Sequence, residues 1–214
     1  MGRSCRNGIS EGSFKKKLLP LNTSGSREEI QRALEQQRKI YIDGAEQAIR
    51  RPKNKDEQRD NYSGKKKRHT SKILVVSDEY KSIKVVSPVY AGSSHDFSMF
   101  KDEKLIEALP RKIPVYLDTG FEGIKALRDD INVRKPKKKP RKRKLNGGER
   151  LGNRIISSER VKVEHAIGGL KRMRIVSAIF RGIHRSMDRT IEVACGIWNY
   201  IVANRFGKAS DQVL

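Results

Sequence analysis

Lys39-Ile-Tyr-Ile-Asp43-Gly44 is a short β-prone run closed by a glycine, and it reads as a strand that delivers Asp43 at its end. Ahead of it, Ser26 followed three residues later by Glu29 predicts a capping box for a short helix through Ile30, Ala33 and Leu34, ending near Gln37. The remainder of residues 1–38 is a basic, polar lead-in without a sustained period. Behind the strand, residues 53–64 form a polar loop or helical turn. Arg68–Ser77 and Ser82–Val89 are then two β-rich runs around Asp78-Glu-Tyr-Lys81, a hairpin signal. Ser94 is placed to cap a helix through Phe97, Phe100, Leu105 and Leu109, stopped by Pro110. Ile113–Leu117 follows as a strand delivering Asp118 into the Gly120–Gly123 turn.

Between Arg134 and Lys144 nine of eleven residues are Lys or Arg and two are proline, which predicts a flexible basic arm over 134–148, disordered without a partner. From Glu149 to Met173 the pattern is helical, with Ile156, Val163, Ile167 and Leu170 on one stripe. A last helix carries Met187, Ile191, Ala194, Trp198 and Ile201 at spacings of 4, 3, 4 and 3. Residues 207–214 are a tail. This order defines an α/β fold with a mixed sheet flanked by helices.

The 214 residues hold 48 Lys and Arg against 25 Asp and Glu, a net charge of +23, so a partner of dense negative charge is expected and polynucleotide comes first. Cys5 and Cys195 have no metal-type spacing, which points to a reducing, cytoplasmic setting. No apolar run nears the ~18 residues of a membrane span, and no apolar leader follows the first charges, which excludes membrane insertion and secretion.

Asp43 and Asp118 at strand ends stand where sites form in open α/β sheets. Glu164 lies inside the long helix, with Arg160 four residues before it and Lys171 seven after, so the three project from one face. Carboxylates gathered in a cationic protein call for a hard cation such as Mg²⁺. Two metals ~3.5–4 Å apart activate an attacking oxygen and stabilise the leaving oxygen of a phosphodiester. Arg160 and Lys171 are then placed to hold phosphates. The pattern points to nucleic-acid cleavage.

The motifs Tyr41-Ile-Asp-Gly-Ala-Glu-Gln47, Arg50-Arg-Pro52, Tyr62-Ser-Gly-Lys-Lys-Lys-Arg-His-Thr70, Gly92-Ser-Ser-His-Asp-Phe97, Leu117-Asp-Thr-Gly-Phe-Glu-Gly123 and Glu159-Arg-Val-Lys-Val-Glu-His-Ala-Ile-Gly-Gly-Leu-Lys-Arg172 together resemble the DDE transposases of bacterial insertion sequences. The nearer likeness is to the subgroup related to Harbinger-type transposases, and it covers Lys39 to Phe206. The resemblance implies a ribonuclease-H-like catalytic domain over 39–206. Asp43, Asp118 and Glu164 match the catalytic carboxylates, and Asp96 an additional metal ligand, with Mg²⁺ or Mn²⁺ as cofactor. Arg160, Glu164 and Lys171 match an Arg-x3-Glu-x6-Lys signature; Ser157 and Ala45 stand where relatives carry Tyr and Thr. The implied substrate is double-stranded DNA, at transposon ends and target. Arg160, Lys171, Arg172, Lys65, Lys66, Lys67, Arg68, Lys137, Lys138, Lys139, Arg141, Lys142, Arg143 and Lys144 are the expected DNA contacts. The relatives' helix-turn-helix-like front domain has no counterpart in the first 38 residues. The chain is therefore expected to be a truncated or frameshifted copy, or one half of an element encoded in two frames with a separate chain supplying end recognition; a homodimer and a nucleoid-associated, cytoplasmic setting are expected as well.

Plainer roles stand beside these. The helix dipole favours Asp96 at a helix start as well as a metal does, and Glu164 with its basic neighbours also fits a surface ion-pair set. At the level of the whole chain, a non-catalytic DNA-binding remnant keeps the same residues, and an RNA- or ribosome-associated protein accounts for the charge alone.

Overall fold

Runs that bury both of their alternating faces build the strands of this protein, and stripes at three- and four-residue spacing build the helices covering them. The computed structural model describes residues 18–140, 143–182 and 184–206. Its strands are β1 (Leu21–Asn22), β2 (Ile40–Ala48), β3 (Tyr62–Ser63), β4 (Arg68–Ser77), β5 (Ile83–Val86), β6 (Tyr90–Ala91), β7 (Val115–Tyr116) and β8 (Val133–Arg134). The helices are α1 (Arg27–Glu35), α2 (Lys55–Asp60), α3 (Asp96–Asp102), α4 (Leu105–Ala108), α5 (Ile124–Leu127), α6 (Gly147–Leu170), α7 (Arg174–Ser177) and α8 (His184–Phe206). The described strands form one mixed sheet in the order β1-β5-β4-β2-β7-β8, with β3 and β6 also paired to β4. The pairs β2–β4 and β4–β5 are antiparallel, whereas β2–β7, β7–β8 and β1–β5 are parallel.

One face of the sheet, carrying Ile40, Ile42, Leu74 and Val76, packs against Ile30 and Leu34 of α1, Met99 and Phe100 of α3, and Phe121. The other face, carrying Tyr41, Ala45, Ile73 and Val75, packs against Val163, Ala166 and Leu170 of α6 and Met187, Ile191, Ala194 and Trp198 of α8. The expected hairpin is present, its turn tied by Asp78, which accepts from the Tyr80 and Ser82 amides. Ser26 caps α1 as expected, accepting from the Glu29 amide.

Several elements differ from the sequence reading. Strand β2 runs through Gly44 to Ala48, so Asp43 lies mid-strand; its polar tail is matched residue by residue to β4, and Gln47 donates to the carbonyls of Ile175 and Ala178. The helix expected from Ser94 starts instead at Asp96 behind His95, and it breaks at Lys104, whose φ of 47° is left-handed. The described part of the lead-in, residues 18–38, is built into the fold: β1 pairs with β5, and Asn199 donates to the Leu18 carbonyl.

The basic arm is tied down over its described part. Arg134 lies in β8, Lys135 donates to the Phe121 carbonyl, and the Asn153 side chain clasps the Lys137 backbone through its amide at 2.7 Å and its carbonyl at 2.9 Å. Edge-strand pairing and one side-chain amide supply the order that composition does not announce. Residues 1–17, 207–214, Arg141 and Lys142 lie outside the described residues.

Candidate active site

The parallel register of β2 and β7 sets Ile40 beside Val115 and Tyr41 beside Tyr116. The same offset carries Asp43 to Asp118. Tyr41 and Tyr116 form one rung, their rings stacked at 5.0 Å and 20°. Asp43 follows two residues further along β2 and Asp118 two residues past the end of β7, and Arg160 of α6 bridges them.

Helix α6 is launched by a capping box in which Asn146 and Glu149 satisfy each other's backbone amides. Its first half is largely uncovered, whereas Val163, Ala166 and Leu170 bury one stripe. Glu159 lies on that stripe, and Arg160, Glu164, Ile167 and Lys171 form the neighbouring one. Each stripe meets one rung of the sheet. Tyr41 donates to Glu159 at 2.6 Å, joined by Lys162 at 2.8 Å and Lys39 at 3.0 Å. Arg160 reaches Asp43 through Nη2 at 3.3 Å and Asp118 through Nη1 at 3.4 Å.

Burial pushes the Asp43 carboxyl above its ordinary value. The Arg160 guanidinium and the Gly44 amide oppose this, while the carboxylates of Asp118 and Asp96 add to it. Asp96 is held on the other side of β2. A side chain at Gly44 would meet its carboxylate at 2.7 Å, and Lys72 pairs with it at 3.4 Å and with Glu46 at 3.6 Å. Glu164, one turn beyond Arg160, is exposed and carries no ion pair among the described residues. No three His, Cys, Asp or Glu side chains among the described residues are gathered closely enough to hold a metal ion. The structure therefore brings Asp43 and Asp118 together through Arg160 and leaves Asp96 and Glu164 to the side.

Lys171, at the end of α6, is half-buried. Burial and the nearby Lys66 lower its amine's pKa, opposed by Glu46 and Asp43. It lines a cavity of about 190 Å³ with Lys66, Arg68, Thr70 and Ser177. Lys65, Lys66, Lys67 and Arg68 are exposed on the turn before and at the start of β4, and Arg172, Lys137, Lys138, Lys139, Arg143 and Lys144 are exposed as well. Arg143 and Lys137 are engaged with Glu149, and Lys138 with Glu122. Tyr41, Glu159 and Lys162 were not singled out from sequence. The available signal was position: Tyr41 shares a strand face with Asp43, and Glu159 leads the buried stripe of α6.

A mixed sheet whose two aspartates share one arginine, crossed by the helix that carries Arg160 and Glu164, defines a ribonuclease-H-like nuclease architecture. The chain belongs to the DDE superfamily endonuclease family, whose sequence pattern matches residues 42–199. It is 29% identical over 177 residues to a probable transposase for insertion sequence element IS702 from Microchaete diplosiphon, covering 83% of this chain and 62% of that relative. No solved structure matches it significantly. Among the described residues no helix is long and apolar enough to cross a membrane.

Proposed function

We propose that this chain is the catalytic domain of a transposase, cutting and rejoining DNA strands at the ends of its element by two-metal phosphodiester chemistry. The observation that carries the reading is the shared engagement of Asp43 and Asp118 by Arg160, on a helix stripe whose other polar members are Glu164 and Lys171. Glu164 lies between two stripe residues that both interact with Asp43, which supports it as the third carboxylate.

DDE nucleases generally use divalent metal ions. The donor set suits one: Asp43 and Asp118 offer hard oxygens side by side, and their charges already draw a cation between them. Asp43 and Asp118, with Glu164 brought in from its exposed position on α6, would hold Mg²⁺ or Mn²⁺, which would supply activation of the attacking oxygen and stabilisation of the leaving one. Tyr41 and Glu159 fix the helix over the rung. Lys171, Lys66 and Arg68 line the adjoining cavity and hold the strand's phosphates. Duplex DNA is the partner, a homodimer the working assembly, the nucleoid the setting, and the Harbinger-related subgroup the place within the family.

The test is a plasmid bearing the element's ends, incubated with the full chain and Mn²⁺. Nicking that requires the metal and disappears in Asp118→Asn is the expected outcome, since that change keeps shape and removes the charge a hard cation needs. Nicking that persists without metal or in Asp118→Asn overturns the mechanism. Tight DNA binding with no nicking assigns the chain to the non-catalytic binding proteins instead.

A further inference from the structure

We propose that Arg160 is an internal cation of this site, standing in for a divalent metal between Asp43 and Asp118, and that arrival of the metal releases its guanidinium to the DNA backbone. The inference rests on the reading of Asp43 and Asp118 as the metal-holding pair.

Three observations support an exchangeable placement. First, a single guanidinium spans two carboxylates, one in β2 and one just past β7, at 3.3 and 3.4 Å. Both distances are longer than the ~2.7–2.9 Å of a well-formed charge-assisted pair. Second, Nε of Arg160 is buried without a hydrogen-bond partner. Guanidinium is a fork of five N–H donors, and this one is held by the ends of two while a third is desolvated with nothing in return. Third, Arg160 stands one turn before Glu164, the spacing at which an Arg and a Glu on one helix ordinarily pair. It turns to the two aspartates instead, and Glu164 is left exposed without an ion pair among the described residues.

Other cations are less well placed to balance the pair. Lys72 is committed to Glu46 and Asp96 on the far side of β2. Lys171 lies near Asp43 but is itself crowded by Lys66 and Lys65. Arg160 thus neutralises carboxylates that would otherwise repel each other. It does so with a grip weak enough for a doubly charged ion, offering a full coordination shell, to displace. A displaced guanidinium at the rim of the site meets the phosphates of a bound strand, where two parallel donors fit. Metal loading and DNA binding would then favour each other, by linkage.

The experiment is Mn²⁺ binding to the full chain without DNA, by calorimetry, with thermal unfolding in parallel. Arg160→Gln should bind Mn²⁺ roughly three- to tenfold more tightly than the parent, because a competing ion pair of moderate strength is gone. It should also melt lower in metal-free buffer and recover more on adding Mn²⁺. Equal or weaker Mn²⁺ affinity in Arg160→Gln, with Mn²⁺ binding to the parent intact, overturns the inference alone. Parent protein that binds no Mn²⁺, or binds it equally well as Asp118→Asn, overturns the metal reading of the pair and this inference with it. If Arg160→Gln does not fold, the side-chain Nε–Hε resonance of Arg160 in the parent decides the matter. It should shift and exchange faster with water on saturation with Mg²⁺, and an unmoved resonance overturns the exchange.

Discussion

Glu159 is held by three donors at once: the Tyr41 hydroxyl, Lys162 and Lys39. Burial raises its carboxyl, but the three donors outweigh that and bring it down from 4.5 to about 2. Tyr41 moves the other way, burial and the Glu159 carboxylate pushing its phenol well up. A carboxylate whose pKa is lowered by folding adds stability that is complete above its ordinary value and is lost as pH falls through the lowered one. The stability advantage of the parent over Glu159→Gln should therefore be flat near neutrality and shrink between pH 4.5 and about 2. Unfolding midpoints of the two proteins across that range measure it. A constant difference would show that the ionised form is not what anchors α6. At neutral pH, Tyr41→Phe should cost about 1 kcal/mol for one lost, partly buried hydrogen bond.

Among the elements, α6 joins the site to the core, and its second half depends on α8. A Cβ at Gly169 would lie 2.2 Å from the Trp198 ring, and the ring is pinned by its indole N–H, which donates to the Lys81 carbonyl at 2.8 Å. The neighbouring Gly168 faces open space. Gly169→Ala should cost roughly 1–3 kcal/mol as an overpacked contact. Gly168→Ala, gaining only helix propensity, should be neutral or stabilising by up to about 1 kcal/mol. Denaturant unfolding separates them, and similar behaviour of the two would mean that Trp198 yields. The apolar stripe of α8 and the limits of β4 were legible in the sequence because each buries a regular pattern. The continuation of β2 past Gly44 was not, since Glu46 and Gln47 look like loop residues until Lys72 and the carbonyls of Ile175 and Ala178 meet them. That extension also put Asp96 out of reach of spacing arguments, because which face it meets depends on the strand continuing. Arg160 was legible as a group of the site but not its partners: periodicity aims it at a phosphate, and the folded chain places it on two carboxylates.

For the whole molecule, a net charge of +23 accompanies a small acidic centre at Asp43 and Asp118. Besides Arg160, the expected DNA contacts come from three separate stretches: the turn before β4, the end of α6 and the arm that starts in β8. Because Arg134 pairs in the sheet and Lys137 is clasped by Asn153, deleting the arm would remove an edge strand along with its charge. Point neutralisation isolates the electrostatic effect. Lys139 and Lys144 are exposed and carry no ion pair among the described residues, unlike Lys138, which is bound to Glu122. If both contact phosphates, each releases counterions on binding, and log K falls against log salt with a slope of about 0.9 per contact in duplex DNA. Lys139→Gln combined with Lys144→Gln should lower that slope by about 1.8, leaving the unfolding midpoint unchanged. Fluorescence anisotropy with a labelled duplex over a range of salt concentrations gives the slope. An unaltered slope would show that the strand runs elsewhere, over Lys65, Lys66, Arg68 and Lys171, and that the arm braces the first half of α6 through Glu149 and Asn153 without touching DNA.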